Sequence, residues 1–142
     1  MAQTTVQVRT VHNACVAVGW SGSRTLTIDR PESVGGMGLG YSGGELLLLA
    51  LGACYCNDIF REAAKRGIVV KNVQVEVSGD WAGDPVRAQN VSFAATVEAE
   101  ASEDEIEDLM RYTDKVAEIH NSLRLGTNVT LASTNAVSLA KS

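Results

Sequence analysis

The sequence predicts a single α+β domain over residues 1–142, with antiparallel sheet and a long buried central helix in the order βββ-α-ββ-α-β. Three observations carry that prediction. Five stretches alternate polar and apolar residues with the period of strands. One uninterrupted segment, Gly43 to Gly67, is rich in Leu, Ala and Glu, contains no proline, and has helix-forming composition. A second helix is announced by Ser102-x-x-Glu105, a capping box that joins side chain and backbone at a helix start.

Taken in order, Thr4–Val11 and Ala14–Trp20 read as two strands joined by a turn at His12-Asn13, because Asn tolerates the positive φ of a tight hairpin. Ser21-Gly22-Ser23 turns the chain into a third strand, Arg24–Asp29, and the three form an antiparallel meander. In the second strand the larger residues Val16, Val18 and Trp20 share one face, which is expected to face the core. Cys15 falls on the other face and reads as a small buried hydrophobe. Pro31–Gly44 is glycine-rich but lacks the order of a phosphate loop, so a mobile lid or a dimer crossover is expected there instead.

The Gly43–Gly67 segment is apolar on every side from Leu46 to Ala53, so its first half is expected to be buried all round. From Asn57 charge appears, and the second half reads as amphipathic and solvent-reaching. The wholly apolar part spans about ten residues, too short to cross a bilayer, which takes roughly 20. Val69–Trp81 and Val86–Ala99 form a long hairpin around Gly83-Asp84-Pro85. A second helix runs from Glu103 to about Ile119, with Ile106, Leu109, Met110, Thr113, Val116 and Ala117 as its apolar stripe. His120–Gly126 follows as a connection, and a last strand is expected at Asn128–Ala132.

Composition narrows function. Hydrophobic residues make up 45% of the chain, enough for a packed core, and the formal net charge of −5 argues against nucleic acid as partner. No N-terminal signal or membrane-spanning run is recognisable, so a cytoplasmic location is expected. Three cysteines, an odd number, do not make a secreted disulfide framework. Cys54 and Cys56 lie two residues apart on one helix and diverge by about 200°. They are therefore expected neither to form a disulfide nor to share a tetrahedral ion with His120, and no metal or cofactor is expected. An apolar run on all faces is more than one small domain comfortably covers, which predicts a homodimer.

The segment IDRP…GGMGLGYSGGELLLLALGAC, the following half ending AAKRGI and the VxVxVSG strand resemble the OsmC/Ohr superfamily over roughly Leu26–Leu131. That superfamily includes osmotically inducible protein C and the organic hydroperoxide resistance proteins of the oxidative-stress response. The resemblance implies an intertwined homodimer and, in peroxidase members, a thiol mechanism. One cysteine attacks a hydroperoxide, a second captures the sulfenic acid, and a lipoyl protein or small thiol resets the pair. Cys54 matches the attacking position. At the second position this chain has His120-Asn121 where those members carry Cys-Pro, so it resembles a divergent member lacking the second cysteine. A charge-tuning glutamate maps nearest to Glu45, one residue past the matching Gly44, and the family's arginine near the thiol maps to Arg24 or Arg30.

Physical chemistry alone adds a constraint. A thiol attacks as thiolate. Burial and Asp58 at i+4 both oppose ionisation of Cys54, so a cation must come from elsewhere, and Arg24, Arg30 or protonated His120 are the candidates. The plain alternatives are an inert buried Cys54, a packing role for Cys56, and His120 as a helix C-terminal charge or cap. The functional expectation is reduction of an organic hydroperoxide by Cys54 with an external thiol or lipoyl donor as resolving reductant. The alternatives are a non-catalytic module that binds a small apolar ligand between the glycine-rich loop and the central helix, and a structural thiol protein.

Overall fold

The computed structural model describes residues 2–141. Strands β1 (Gln7–Thr10), β2 (Ala17–Ser21) and β3 (Arg24–Ile28) form the expected antiparallel meander, with Gln7 opposite Trp20 and Ala17 opposite Ile28. His12, in the turn between β1 and β2, takes a left-handed φ of 55°. The facing of β2 is the reverse of the expectation. Ala17 and Gly19 are buried while Val18 is exposed, because the isolated protomer sets little against the Val18 side of the meander. Cys15 lies before β2 and is exposed, which corrects its expected burial in the strand.

The glycine-rich segment folds back onto the end of β3. The buried Asp29 carboxylate accepts backbone N–H bonds from Arg30 (2.7 Å), Met37 (3.1 Å) and Leu39 (3.1 Å). These donors hold its pKa below the ordinary value although burial alone would raise it. Gly36 and Gly40 pass so close to the Arg30 and Thr27 carbonyls that a Cβ at either place would collide with backbone. A short 3₁₀ turn, Glu32–Val34, completes this knot.

Helix α1 spans Gly43–Lys65. Ser42 caps it, accepting from the Glu45 N–H while Glu45 accepts from the Ser42 N–H, a full capping box. At the far end Gly67 takes φ 68° and the Ile68 N–H bonds back to the Ala63 carbonyl, the paired pattern that closes many helices. By length and composition α1 is a helix that could cross a membrane. Its second half instead forms the core of the domain. Tyr55, Ile59 and Ala63 pack with Leu109, and Val73, Val75, Phe93, Val97 and Met110 close around them.

Strands β4 (Val69–Ala82) and β5 (Arg87–Glu100) make the long hairpin, paired from Val69–Glu100 to Ala82–Arg87. Alternate residues turn inward as predicted, and the outer face is polar. Helix α2 (Glu103–Val116) opens on the predicted Ser102/Glu105 box and buries the predicted stripe, with Leu109 and Thr113 fully enclosed.

The C-terminal region departs from expectation. The backbone turns extended at Ala117 and a separate helix α3 (Glu118–Leu125) follows, so His120 lies inside a helix and not beyond one. The strand expected at Asn128–Ala132 is absent. No strand edge among the described residues pairs with it, and Val129 and Leu131 are exposed. The order is therefore βββ-α-ββ-α-α, still α+β.

Candidate functional site

The site is built where α1 meets the start of α3. Cys54 sits at the boundary between the buried face of α1, marked by Leu51, Tyr55 and Asp58, and its open side. Its thiol donates to Asp58 Oδ2 at 3.5 Å, one helical turn on. The backbone N–H groups of Ile119 and Glu118, the first two residues of α3, lie near enough to the sulfur to lower its pKa. That helix has Ala117 at its N-cap and no side-chain cap, so its first amides are free to meet the sulfur. Burial pushes the Cys54 thiol up, the Ile119 amide pulls it down, and the Asp58 charge pushes it up again; the balance is upward. The surroundings therefore favour the thiol over the thiolate, with the first amides of α3 acting in the opposite direction.

Asp58 is itself held. Arg61 reaches back one turn to its Oδ1 at 3.0 Å and also bonds Glu62 (2.9 Å) and Glu118 (3.2 Å). Lys65 adds a bond to Glu62 at 3.1 Å. The two buried carboxylates of α1 are thus paired by partly exposed cations at the rim. Arg61 was passed over in the sequence because it lies two turns from Cys54. The signal that finds it is its i, i+3 spacing from Asp58, which makes it the thiol's neighbour at one remove.

His120 is buried to 2% exposure, packed edge-on against Phe93 with centroids 4.8 Å apart and tilted against Tyr55 at 5.7 Å. Neither ring nitrogen has a hydrogen-bond partner among the described residues. Burial lowers its pKa, Arg124 lowers it further, and Asp114 and Asp58 oppose them. It lies buried within α3 and is not a C-terminal cap, and burial disfavours the protonated cation considered from sequence.

The other predicted site residues are elsewhere within the protomer. Arg24 opens β3, its side chain against Ser21, and borders a separate apolar groove with Trp20 and Leu46. Arg30 follows β3, its amide bound to Asp29. Glu45 belongs to the α1 cap, and its bonds to Ser42 hold its carboxyl below the usual range. Nine residues of helix separate it from Cys54, roughly 13 Å of rise. Glu45 instead borders a groove of about 450 Å³ with Leu48, Gly52, Cys56 and Val77. Cys56 thus faces β4 while Cys54 faces α3, and all three cysteines are free.

Comparison with known proteins gives a consistent answer. The family model described as OsmC-like protein matches residues 36–132. An OsmC-like protein from Mycoplasma pneumoniae superimposes with a TM-score of 0.75 at 19% identity, over 87% of this chain and 88% of that one. An OsmC-like protein of unknown function from Vibrio cholerae gives 0.76 at 13% identity, over 86% and 94%. An organic hydroperoxide resistance protein from Legionella pneumophila gives 0.60 at 18% identity, over 87% and 90%. No curated protein matches the chain. With the matched segment covering most of the sequence, including the glycine-rich loop, the Cys54 helix and the start of α3, the chain belongs to the OsmC-like protein family.

Proposed function

We propose that this OsmC-like protein is a one-cysteine thiol peroxidase that reduces organic hydroperoxides in the cytoplasm. The observation that carries the reading is the placement of Cys54 Sγ against the uncapped N-terminus of α3. Two amides and the positive end of a helix dipole stabilise a thiolate there. Similarity to a hydroperoxide resistance protein supports the substrate class. The thiolate sulfur attacks the distal peroxide oxygen. An S–O bond forms as the O–O bond breaks, and the alkoxide leaves as alcohol after taking a proton. Sulfur gives up two electrons and becomes a sulfenic acid. An external thiol, small or lipoyl-borne, condenses with it to a mixed disulfide and water, and a second thiol releases reduced Cys54 and a disulfide.

Among the described residues the nearby cation is Arg61, and it is committed to Asp58, Glu62 and Glu118. The reading therefore includes a homodimer in which Arg24 or Arg30 of a second copy approaches the thiol. The open apolar half of α1, with Leu49 46% exposed, and a meander packing little on the rest of its own chain support that assembly.

Consumption of cumene hydroperoxide is the test, with dithiothreitol or a dihydrolipoyl donor, for wild type and Cys54→Ser. Turnover in wild type that disappears in the variant is the expected result. Equal background consumption in both ends the reading. After one equivalent of hydroperoxide, intact mass should rise by one oxygen that dimedone captures at Cys54. A loss of two hydrogens with Cys15 linked to Cys54 would instead reveal an internal resolving thiol.

One observation favours a second reading, a non-catalytic binding protein. The upward shift of the Cys54 pKa leaves little thiolate at neutral pH, while the apolar groove beside Cys56 could seat a small ligand. Wild type that neither consumes hydroperoxide nor gains oxygen would select it.

A further inference from the structure

A thiol that attacks a hydroperoxide must lose one proton, and the alkoxide that departs must gain one. An alkoxide is strongly basic, so the O–O bond breaks slowly unless a proton is delivered to the leaving oxygen. Sulfur accounts for the electrons, and the proton needs a carrier. Among the described residues, the side chain that bonds the Cys54 thiol is Asp58, whose Oδ2 accepts from it at 3.5 Å.

The geometry around Asp58 suits that task. Its residue is 5% exposed, so bulk water has little access to the carboxylate. The two oxygens are divided between two partners. Arg61 takes Oδ1 at 3.0 Å, and Oδ2 is left to the thiol. The carboxylate is thus fixed one helical turn from the sulfur, on the same face of α1. The neighbouring carboxylates of Glu62 and Glu118 are turned to Arg61 instead, at 2.9 and 3.2 Å. At rest Asp58 opposes the free thiolate and so keeps the proton on sulfur. That proton is then on hand when a leaving group needs it.

We propose that Asp58 is a catalytic residue, the proton carrier between the Cys54 thiol and the departing alkoxide, a step that rests on the peroxidase reading. As sulfur bonds the distal oxygen, the thiol proton passes to Asp58 Oδ2. The O–O bond breaks, and the same proton passes from Asp58 to the alkoxide. Thiol and hydroperoxide become sulfenic acid and alcohol, and sulfur supplies the two electrons. Asp58 ends as the carboxylate it began as, and no proton is drawn from water. A thiol held in this way is slow toward an alkylating agent, whose iodide leaves without a proton. It is equipped for an oxidant whose leaving oxygen needs one.

The experiment follows the first oxidation of Cys54 in a single turnover of the intact protein, read on the quenched Cys54 peptide by mass. Wild type and Asp58→Asn each meet cumene hydroperoxide and peracetic acid. Cumene hydroperoxide expels an alkoxide, which needs a proton, and peracetic acid expels acetate, which does not. Cumene hydroperoxide should oxidise Asp58→Asn roughly 10²-fold more slowly than wild type, the ordinary worth of a placed acid–base group. Peracetic acid should oxidise the variant at least as fast as wild type, which also shows that the variant is folded. Iodoacetamide should alkylate the variant faster, because the charge that opposes the thiolate is gone. A change in thiolate population alone moves all three rates in one direction, so the opposed signs identify proton transfer. Wild type in heavy water gives a readout free of any folding effect. There the cumene hydroperoxide rate should fall relative to the peracetic acid rate. Equal slowing by both oxidants in Asp58→Asn, an unslowed cumene hydroperoxide reaction, or equal heavy-water effects would each overturn the proposal. Wild type whose Cys54 gains no oxygen from cumene hydroperoxide would overturn the peroxidase reading and this step with it, an outcome distinct from the other three.

Discussion

The two halves of α1 invert their chemistry. From Leu46 to Ala53 the helix is almost purely apolar, yet in the protomer only Leu51 is buried and Leu49 and Ala50 are open. From Cys54 to Lys65 it carries charge at several positions, yet Tyr55, Asp58, Ile59, Glu62 and Ala63 are all buried. Sequence reasoning predicted the opposite order. A helix is buried where a neighbouring surface is supplied, and the β4–β5 sheet, α2 and α3 cover the second half. Among the described residues of the protomer, little covers the first half.

The sharpest way to break this contrast is a pair of substitutions. Ile59→Ala removes a fully enclosed side chain and should cost about 2–5 kcal/mol in urea denaturation. Leu49→Glu should leave the protomer fold intact and weaken self-association, read by sedimentation at micromolar protein. A purely 15 kDa wild-type species would show that the apolar half needs no second copy.

A second variant probes the buried charge. Asp58→Asn keeps the shape but removes the carboxylate that pairs with Arg61 and accepts from the thiol. Loss of this buried pairing should cost about 1–3 kcal/mol. The chemical readout has a definite sign. Asp58 pushes the Cys54 pKa upward, so its removal should bring the midpoint of iodoacetamide alkylation to lower pH. In wild type the rate should rise only as pH climbs past the ordinary thiol range, and an unmoved midpoint in the variant would clear Asp58 of any control over the thiol.

The smallest expected effect lies at the helix start. Ser42→Ala removes the α1 cap and should lower stability by about 1 kcal/mol. Ser102→Ala at α2 should cost about the same. A clearly smaller loss at Ser42 would mean that the open half of α1 frays without penalty, sharpening the difference between the halves.

Local features were legible. The meander, the Ser102/Glu105 box, the end of α1 at Gly67, the hairpin turn at Gly83 and the α2 stripe were all read from the residues, because caps, turns and periodicity depend on neighbours a few positions away. Cys54 stood out in the sequence as the candidate thiol, through its place after a glycine-rich loop. The sequence left Arg24, Arg30 and His120 open as partners for Cys54, and it could not show that α3 breaks from α2 at Ala117 and starts near the sulfur. It assigned the larger residues of β2 to the core, whereas the sheet turned Ala17 and Gly19 inward. The tertiary structure alone decided which face of each strand is covered, which half of α1 is enclosed, and that His120 is buried with no hydrogen-bond partner among the described residues. Burial and hydrogen-bond satisfaction are set by contacts between residues far apart in the chain, and no local pattern records them.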